Sequence, residues 1–189
     1  MARPRKSAPE DVLKSIQLAF WKNGYHGTSM HDLEAASGLG KQSLYRSFGN
    51  KDAMYAKALA LYGDDDVSQM FEAMAKGDTA RTRFEILFCD ALAPVKDGDR
   101  SGCFMCNASL DHAQQDQDTS AAVMAGIETT IRVFSDALSV SPPYDGDLEL
   151  REKQARAIAV GYFGLRVLVR SGLSFEDIDQ AALAVLDTI

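Results

Sequence analysis

Two thiols stand close together in the segment GCFMCNASLD, residues 102–111, and they are the most reactive side chains in the sequence. Cys103 and Cys106 are three residues apart, so on a helix they share one face. A glycine precedes Cys103 and places this thiol at a helix start, where the helix dipole lowers a thiol pKa. The pattern is compatible with a redox or electrophile sensor, with a metal site completed by Cys89 or His112, or with two small buried apolar residues.

Signatures of catalysis are missing from the sequence. It contains no paired carboxylates, no nucleophile–base motif and no phosphate-binding loop. We therefore expect no catalytic residue, no cofactor and a protein that is not an enzyme. A thiol oxidoreductase is the alternative, but its Cys-x-x-Cys motif normally follows a strand, and no strand pattern is present. The three histidines, His26, His31 and His112, share no metal-ligand spacing, so we predict surface or capping roles for them and no metal site.

A second group of polar residues, KQSLYR at 41–46, has the chemistry of nucleic-acid binding. A glutamine such as Gln42 can form two hydrogen bonds to adenine, and Ser43 can bond several bases. Lysine, arginine and the tyrosine hydroxyl are suited to phosphates. Apolar residues at helical spacing and a glycine at position 38 predict two short helices joined by a tight turn, which is a helix-turn-helix arrangement. The residues that would pin these helices together are Leu33, Leu39, Leu44 and Phe48.

The charge of the chain is divided between its two ends. The 189 residues carry a net charge of −7, yet residues 1–51 contain eight Lys or Arg against four Asp or Glu. A basic end on an acidic body is expected of a protein that meets phosphate with one face. The arm formed by Arg3, Arg5 and Lys6 can either contact DNA or remain a disordered basic tail. No apolar run approaches the length of a membrane helix, and the N-terminus lacks a signal sequence, so we expect a cytoplasmic protein that contacts no membrane.

The periodicity of apolar residues predicts an all-α fold of about nine helices. Three short helices precede residue 50, and Thr28 and Asn50 are candidate N-caps of the second and fourth. Clusters of Gly, Pro and Asp separate the rest. The predicted body helices cover residues 51–76, 79–95, 102–114, 118–140, 149–171 and 175–188.

The segment AFWKNGYHGTSMHDLEAASGLGKQSLYRSFGNKDAMYAKAL, residues 19–59, resembles the DNA-binding domain of TetR/AcrR transcriptional regulators. The resemblance includes the ending of the first helix, the helix-turn-helix and the NKDAMY that follows. It implies a nine-helix homodimer whose DNA-binding domain is residues 1–50 and whose body, residues 51–189, binds an effector and dimerises. The implied function is repression at a palindromic double-stranded DNA operator, with release by an unknown small-molecule effector.

By position, the resemblance assigns roles to residues of the first domain. Gln42, Ser43 and Tyr45 correspond to groove-facing residues, and Thr28, Lys41, Tyr45 and Lys51 to phosphate contacts. The complete predicted DNA-binding set is Thr28, Ser29, Lys41, Gln42, Ser43, Tyr45, Arg46 and Lys51. Gly40 departs from the family pattern, which often has Ser or Thr capping the recognition helix. His31 stands where an acidic residue often completes the cap of the second helix.

The body is predicted to contain a dimer interface and an effector pocket. In the family the last two helices usually form a four-helix bundle with their mates; here the predicted interface residues are Ile158, Gly161, Leu165, Leu168, Ile178, Ala182 and Val185. Large adaptable side chains suggest a pocket for an apolar or aromatic effector, although each is individually compatible with a core. The predicted pocket residues are Tyr62, Met70, Phe71, Phe84, Phe88, Cys103, Phe104, Asn107, Met124 and Phe163.

Overall fold

The computed structural model describes residues 8–189, and within them the regular structure is nine α-helices with no strand. The all-α prediction is confirmed. The basic arm at Arg3, Arg5 and Lys6 lies outside the described residues. The helices are α1 (Pro9–Asn23), α2 (Met30–Ser37), α3 (Lys41–Phe48), α4 (Lys51–Met74), α5 (Ala80–Lys96), α6 (Phe104–Asp111), α7 (Gln117–Leu138), α8 (Leu148–Ser171) and α9 (Phe175–Leu186). We call α1–α3 the head and α4–α9 the body.

Side-chain caps fix where several helices begin. Asn50 accepts the backbone N–H of Ala53 at 2.8 Å, which confirms it as the N-cap of α4. The predicted cap of α2 is wrong by one residue. Ser29 is the cap and forms a reciprocal capping box with Asp32, so Asp32, and not position 31, supplies the acidic group. Thr28 is instead fully buried, and its hydroxyl donates to the carbonyl of Gly24 at 2.7 Å.

Helix α6 ends at Asp111, before the predicted 114, and it begins later than the predicted 102 because Gly102 cannot join it. Gly102 has φ +66°, a conformation that favours glycine. A Cβ at this position would also lie 2.7 Å from the carbonyl oxygen of Arg166 on α8. The chain therefore crosses α8 closely and turns into α6 with Cys103 as the N-cap residue.

Two clusters of buried apolar side chains stabilise the molecule. One fills the body between α4, α5, α7, α8 and α9. The other begins in the head with Ile16, Leu33 and Leu44 and continues through α4 to Phe104 and Val123 on α6 and α7. The head is therefore packed directly against the body, across the domain boundary predicted near residue 50.

The predicted dimer interface on α8 and α9 needs correction, because most of its residues lie inside the chain's own core. Ile158, Leu165, Ile178 and Ala182 are at most 4% exposed, so they cannot contact a second chain. Gly161 and Val185 pack against each other between α8 and α9, where a Cβ on the glycine would lie 2.7 Å from the valine. Among the predicted interface residues, Leu168 is the exposed one.

Candidate nucleic-acid interface and effector cavity

The head holds α2 and α3 together through a small apolar contact. Leu33 of α2 and Leu44 of α3 are fully buried, and Phe48 closes the end of α3. Gly38 adopts a left-handed conformation with φ +68° and allows the chain to turn sharply between the helices. These residues form the predicted helix-turn-helix, and they fix which face of α3 points outward.

The outward face of α3 carries the predicted DNA-binding side chains. Lys41, Gln42, Tyr45 and Arg46 are exposed, and Ser43 is half-buried. The Lys41 ammonium lies 5.8 Å from the centre of the Tyr45 ring, so the two side chains share one end of the face. No acidic residue lies within α3, which spans residues 41–48. The face is therefore positive, polar and free of the groups that hold α3 in place.

The start of α3 is capped from a neighbouring helix. Gly40 has no side chain to offer, and the Glu34 carboxylate accepts the backbone N–H of Lys41 at 2.5 Å instead. Glu34 therefore supplies the cap of α3 that a Ser or Thr side chain at position 40 would otherwise provide.

Three further predicted DNA-binding residues lie at the edges of this face. Ser29 is exposed, although its hydroxyl also serves the capping box of α2. The hydroxyl of Thr28 is committed to the interior, so the predicted side-chain contact to phosphate at this position is corrected. Lys51 begins α4, and its ammonium lies 4.1 Å from the centre of the Tyr25 ring, a favourable cation–π arrangement. Partial burial lowers the pKa of Lys51, and the neighbouring charge of Asp52 opposes this shift.

A cavity of about 280 Å³ lies in the body and reaches the head. Its apolar wall includes Met70, Leu87 and Val169, and its polar end includes Asp66 and Arg166. The cavity wall is completed by Trp21, Gln69, Glu72, Ala73, Lys76, Asp90, Ala91, Pro94, Val95, Asp99, Gly102 and Tyr162. A ligand here would contact both parts of the molecule, because Trp21 belongs to α1 of the head.

Arg166 is the centre of a buried polar network at the end of this cavity. It donates to both carboxylate oxygens of Asp66, at 2.9 and 3.0 Å. It also donates to the hydroxyls of Tyr162 at 3.0 Å and Tyr62 at 2.6 Å. Burial raises the pKa of both tyrosines, so they stay neutral. The indole N–H of Trp21 is buried and has no hydrogen-bond partner among the described residues, which leaves a donor for a ligand.

The predicted effector residues are dispersed over the body. Met70 lines the cavity, and Tyr62 contacts it only through the hydrogen bond that its hydroxyl accepts from Arg166. Phe88 lines a second cavity of about 190 Å³ between α5 and α9. Phe84 and Phe104 are fully buried core residues.

The remaining predicted effector residues do not line either cavity. Phe71 and Met124 are more than half exposed, so the expected aromatic wall does not include them. Asn107 donates to the carbonyl of Ser101 at 3.0 Å, and Phe163 is half-buried beside Tyr162.

Sequence reasoning missed the polar residues of the cavity, namely Trp21, Asp66, Tyr162 and Arg166. A signal was present for Arg166, since it lies one helical turn after Tyr162 on the buried side of α8. A charged residue in phase with buried apolar ones usually has a buried partner. The partner on α4 could not be identified from periodicity, because Asp66 follows two other aspartates.

The two thiols lie next to this network. Cys103 is fully buried at the start of α6, and Cys106, one turn later, points its sulfur at the carbonyl of Phe163. Burial by itself raises the pKa of Cys103, but the Cys106 hydrogen bond and the charge of Arg166 outweigh it and lower the pKa to about 6. The hydrogen bond to Cys103 and burial raise the pKa of Cys106. Cys89 is exposed on α5 and separate from this pair.

The fold and the exposed α3 define the class of protein as helix-turn-helix. Residues 18–58 match the family model of bacterial regulatory proteins, tetR family. The chain is 24% identical over 119 residues to the uncharacterised HTH-type transcriptional regulator YezE of Bacillus subtilis and 24% identical over 130 residues to the HTH-type transcriptional repressor BdcR of Escherichia coli. These matches cover 62% and 68% of this chain, and they span 61% and 66% of the two relatives.

A solved structure has the same fold over nearly the whole chain. It is a cysteine mutant of the TetR family transcriptional regulator CifR in complex with 26-bp double-strand operator DNA. The TM-score is 0.82 at 24% identity, and the match covers 98% of each chain. Residues 18–58 therefore match the tetR family of bacterial regulatory proteins in sequence, and the chain as a whole is similar to a TetR family regulator in fold. Within residues 8–189, no helix combines the length and the apolar character that crossing a membrane requires.

Proposed function

We propose that this protein is a transcriptional repressor that binds a palindromic operator as a homodimer and is released by a small-molecule effector. The observation that carries the proposal is the exposed face of α3, which is held outward by the buried Leu33–Leu44 contact. In this proposal Gln42 and Ser43 read base edges in the major groove. The phosphates are contacted by Lys41, Tyr45, Arg46, Lys51 and Ser29.

Dimerisation is assigned to the outer face of α8, because that face is apolar and exposed. Val160 and Val167 are 74% and 40% exposed. Small residues at Ala157 and Gly164 lie on the same face at helical spacing, which permits close approach of a second helix. Leu183 extends the surface onto α9. A two-fold interface here presents two α3 helices to DNA and explains why the operator should be palindromic.

The effector is assigned to the 280 Å³ cavity. Its wall combines apolar residues with several polar and charged ones besides the Asp66–Arg166 pair, so it suits a small molecule with an apolar part and more than one polar group. Trp21 connects this cavity to the head, since the residue lies two positions before the end of α1. Occupation of the cavity can therefore shift α1 relative to α4 and change the spacing of the two recognition helices.

The proposal is tested by selecting operator fragments from bacterial genomic DNA with the purified protein. We expect the wild type to enrich one palindromic sequence, and Tyr45→Ala to enrich none while keeping its fold and oligomeric state. Arg132→Ala, an exposed residue of α7 in the body, is the control and should enrich the same sequence. Equal enrichment by wild type and Tyr45→Ala would refute the role of α3.

A second candidate function, thiol-based sensing, is supported by the pairing of Cys103 with Cys106 beside Arg166. A peroxide would oxidise the Cys103 thiolate to a sulfenic acid, and the Cys106 thiol would then displace water to form a disulfide. Overall, two thiols lose two electrons and two protons, and the peroxide is reduced. The test is operator binding after peroxide treatment, in wild type and Cys103→Ser, with Cys89→Ser as the control. An unchanged response in Cys103→Ser excludes this function.

A further inference from the structure

The junction between head and body contains a group of metal-ligating side chains outside the cavity and the DNA-binding face. Asp52 comes from the first turn of α4, His112 follows α6, and Asp116 caps α7. One ligand atom from each of the three lies within 4.8 Å of the other two. We propose that Asp52, His112 and Asp116 bind a divalent transition-metal cation.

The separations are compatible with a coordination sphere. With metal–ligand distances of about 2.0–2.2 Å, neighbouring ligand atoms of a tetrahedral site are about 3.3–3.6 Å apart. The Nε2 of His112 and the Oδ1 of Asp52 are already 3.2 Å apart. The longer separations close by rotation of the carboxylates of Asp52 and Asp116, which are only partly buried.

His112 is the residue that distinguishes this group from an ordinary acidic surface cluster. The sequence predicted a surface or capping histidine, but its side chain is 6% exposed. Its Nδ1 is buried and has no hydrogen-bond partner among residues 8–189. The ring is held by stacking on Tyr25, with 3.5 Å between the ring centres and 7° between the planes. The stacking fixes Nε2 beside Asp52, so this nitrogen already occupies the position that a metal ligand needs, whereas Nδ1 points away from Asp52 and is not assigned to the cation.

The carboxylates of Asp52 and Asp116 each have oxygen lone pairs available for a cation. Asp116 caps α7 through Oδ2 alone, which accepts the backbone N–H and the hydroxyl of Thr119 at 2.8 and 2.7 Å. Its Oδ1 is therefore available. Asp52 accepts the Tyr25 hydroxyl and faces His112 through Oδ1, and its Oδ2 accepts one hydrogen bond, from Asn50 Nδ2 at 3.3 Å. With a neutral imidazole the three ligands carry two negative charges, which a divalent cation neutralises. One imidazole with two carboxylates favours zinc, iron or manganese over the soft monovalent ions.

The neighbouring Asp111 is engaged elsewhere and is not assigned to the metal. It accepts the backbone N–H of Tyr25 at 2.5 Å and lies 4.0 Å from His26. These contacts join the head to the end of α6 beside the proposed ligands. A metal would add a bond between α4, α6 and α7 at the same junction. The expected consequence, a change in operator affinity, rests on the proposed function.

The test is titration of the purified chain with Co²⁺, followed by visible absorption and equilibrium dialysis. We expect one ion per chain, with ligand-field bands and without the near-ultraviolet charge-transfer band of a thiolate ligand. Asp116→Asn should weaken binding at least about tenfold and still cap α7, since asparagine is a good N-cap residue. Asp118→Asn removes a neighbouring exposed charge from the first turn of α7 and should bind as the wild type does.

A second variant shows whether loss of the ion follows from removal of a ligand rather than from unfolding. His112→Phe preserves the stacking on Tyr25 and removes the nitrogen ligands, so it should remain folded and lose the ion. Lack of Co²⁺, Zn²⁺ and Mn²⁺ binding at millimolar concentration overturns the site, as does a thiolate band or unchanged affinity in Asp116→Asn and His112→Phe. These readouts need no DNA, so failure of the site is distinguishable from failure of the repressor proposal.

Discussion

The guanidinium of Arg166 on α8 donates to both carboxylate oxygens of Asp66 on α4, at 2.9 and 3.0 Å, with both side chains nearly buried. This pair joins the helix that continues from the head to the helix that carries the proposed dimer surface. It also closes the polar end of the 280 Å³ cavity. The pair therefore links the parts of the molecule to which we assign DNA binding, dimerisation and effector binding.

Removal of one member of this pair should destabilise the fold. Asp66→Ala leaves the Arg166 charge buried without a counter-ion, and we expect a loss of about 3–5 kcal/mol in the free energy of unfolding. The measurement is urea denaturation followed by circular dichroism. The double variant Asp66→Leu/Arg166→Met removes both charges and should recover most of the loss. Equal stability of wild type and Asp66→Ala would contradict the assigned role.

Cys103 should be a thiolate near neutral pH. Because its pKa is lowered to about 6, the thiolate population rises as pH increases through 6 and is nearly complete above 7. The ultraviolet absorbance of the thiolate, taken as the difference between wild type and Cys103→Ser, should level off there, and this measurement needs no reagent to reach the buried sulfur. An ordinary thiol with a pKa of 9.0 would keep ionising up to that pH. Cys106, whose pKa is raised, should stay protonated. A difference absorbance that is absent at pH 7 and appears only near pH 9 would disprove the lowered pKa.

The proposed dimer surface predicts a selective effect of charge on α8. Val160→Glu places a carboxylate in the centre of the apolar stripe, so sedimentation should show a shift from dimer to monomer without unfolding. The matched control is Leu110→Glu, since Leu110 is 76% exposed and Val160 74% exposed. The control should sediment as the wild type. If both variants remain dimeric, the interface lies on another surface.

The effector cavity can be observed through the single tryptophan of the chain. Trp21 lines the cavity, so a compound that dissociates the operator complex should change its fluorescence. Tyr45→Ala should keep this fluorescence response, because the cavity is unaffected by loss of DNA binding. A compound that releases DNA and leaves the Trp21 spectrum unchanged would place the effector elsewhere.

Local features of the fold could be predicted from the sequence, and long-range pairings could not. Asn50 and the turn at Gly38 act on neighbouring residues, so composition and spacing were sufficient to identify them. The Asp66–Arg166 pair joins residues a hundred positions apart, and no local pattern encodes it.

Helix α8 shows a different limit of sequence reasoning. Both of its faces are apolar, and periodicity cannot decide which one enters the chain's own core. The prediction chose Ile158 and Leu165, which the structure buries, and overlooked the exposed Val160. The packing of α8 on α7 and α9 decides which of its faces is exposed.

The central claim is that the exposed face of α3 binds operator DNA. The most direct measurement is a fluorescence anisotropy titration of the selected operator duplex with wild type, Tyr45→Ala and Arg132→Ala over a series of salt concentrations. We predict that Tyr45→Ala weakens binding by at least about tenfold, equivalent to about 1.4 kcal/mol, and that wild-type affinity falls steeply with salt. Arg132→Ala should match the wild type. Equal affinity of wild type and Tyr45→Ala at every salt concentration would contradict the account.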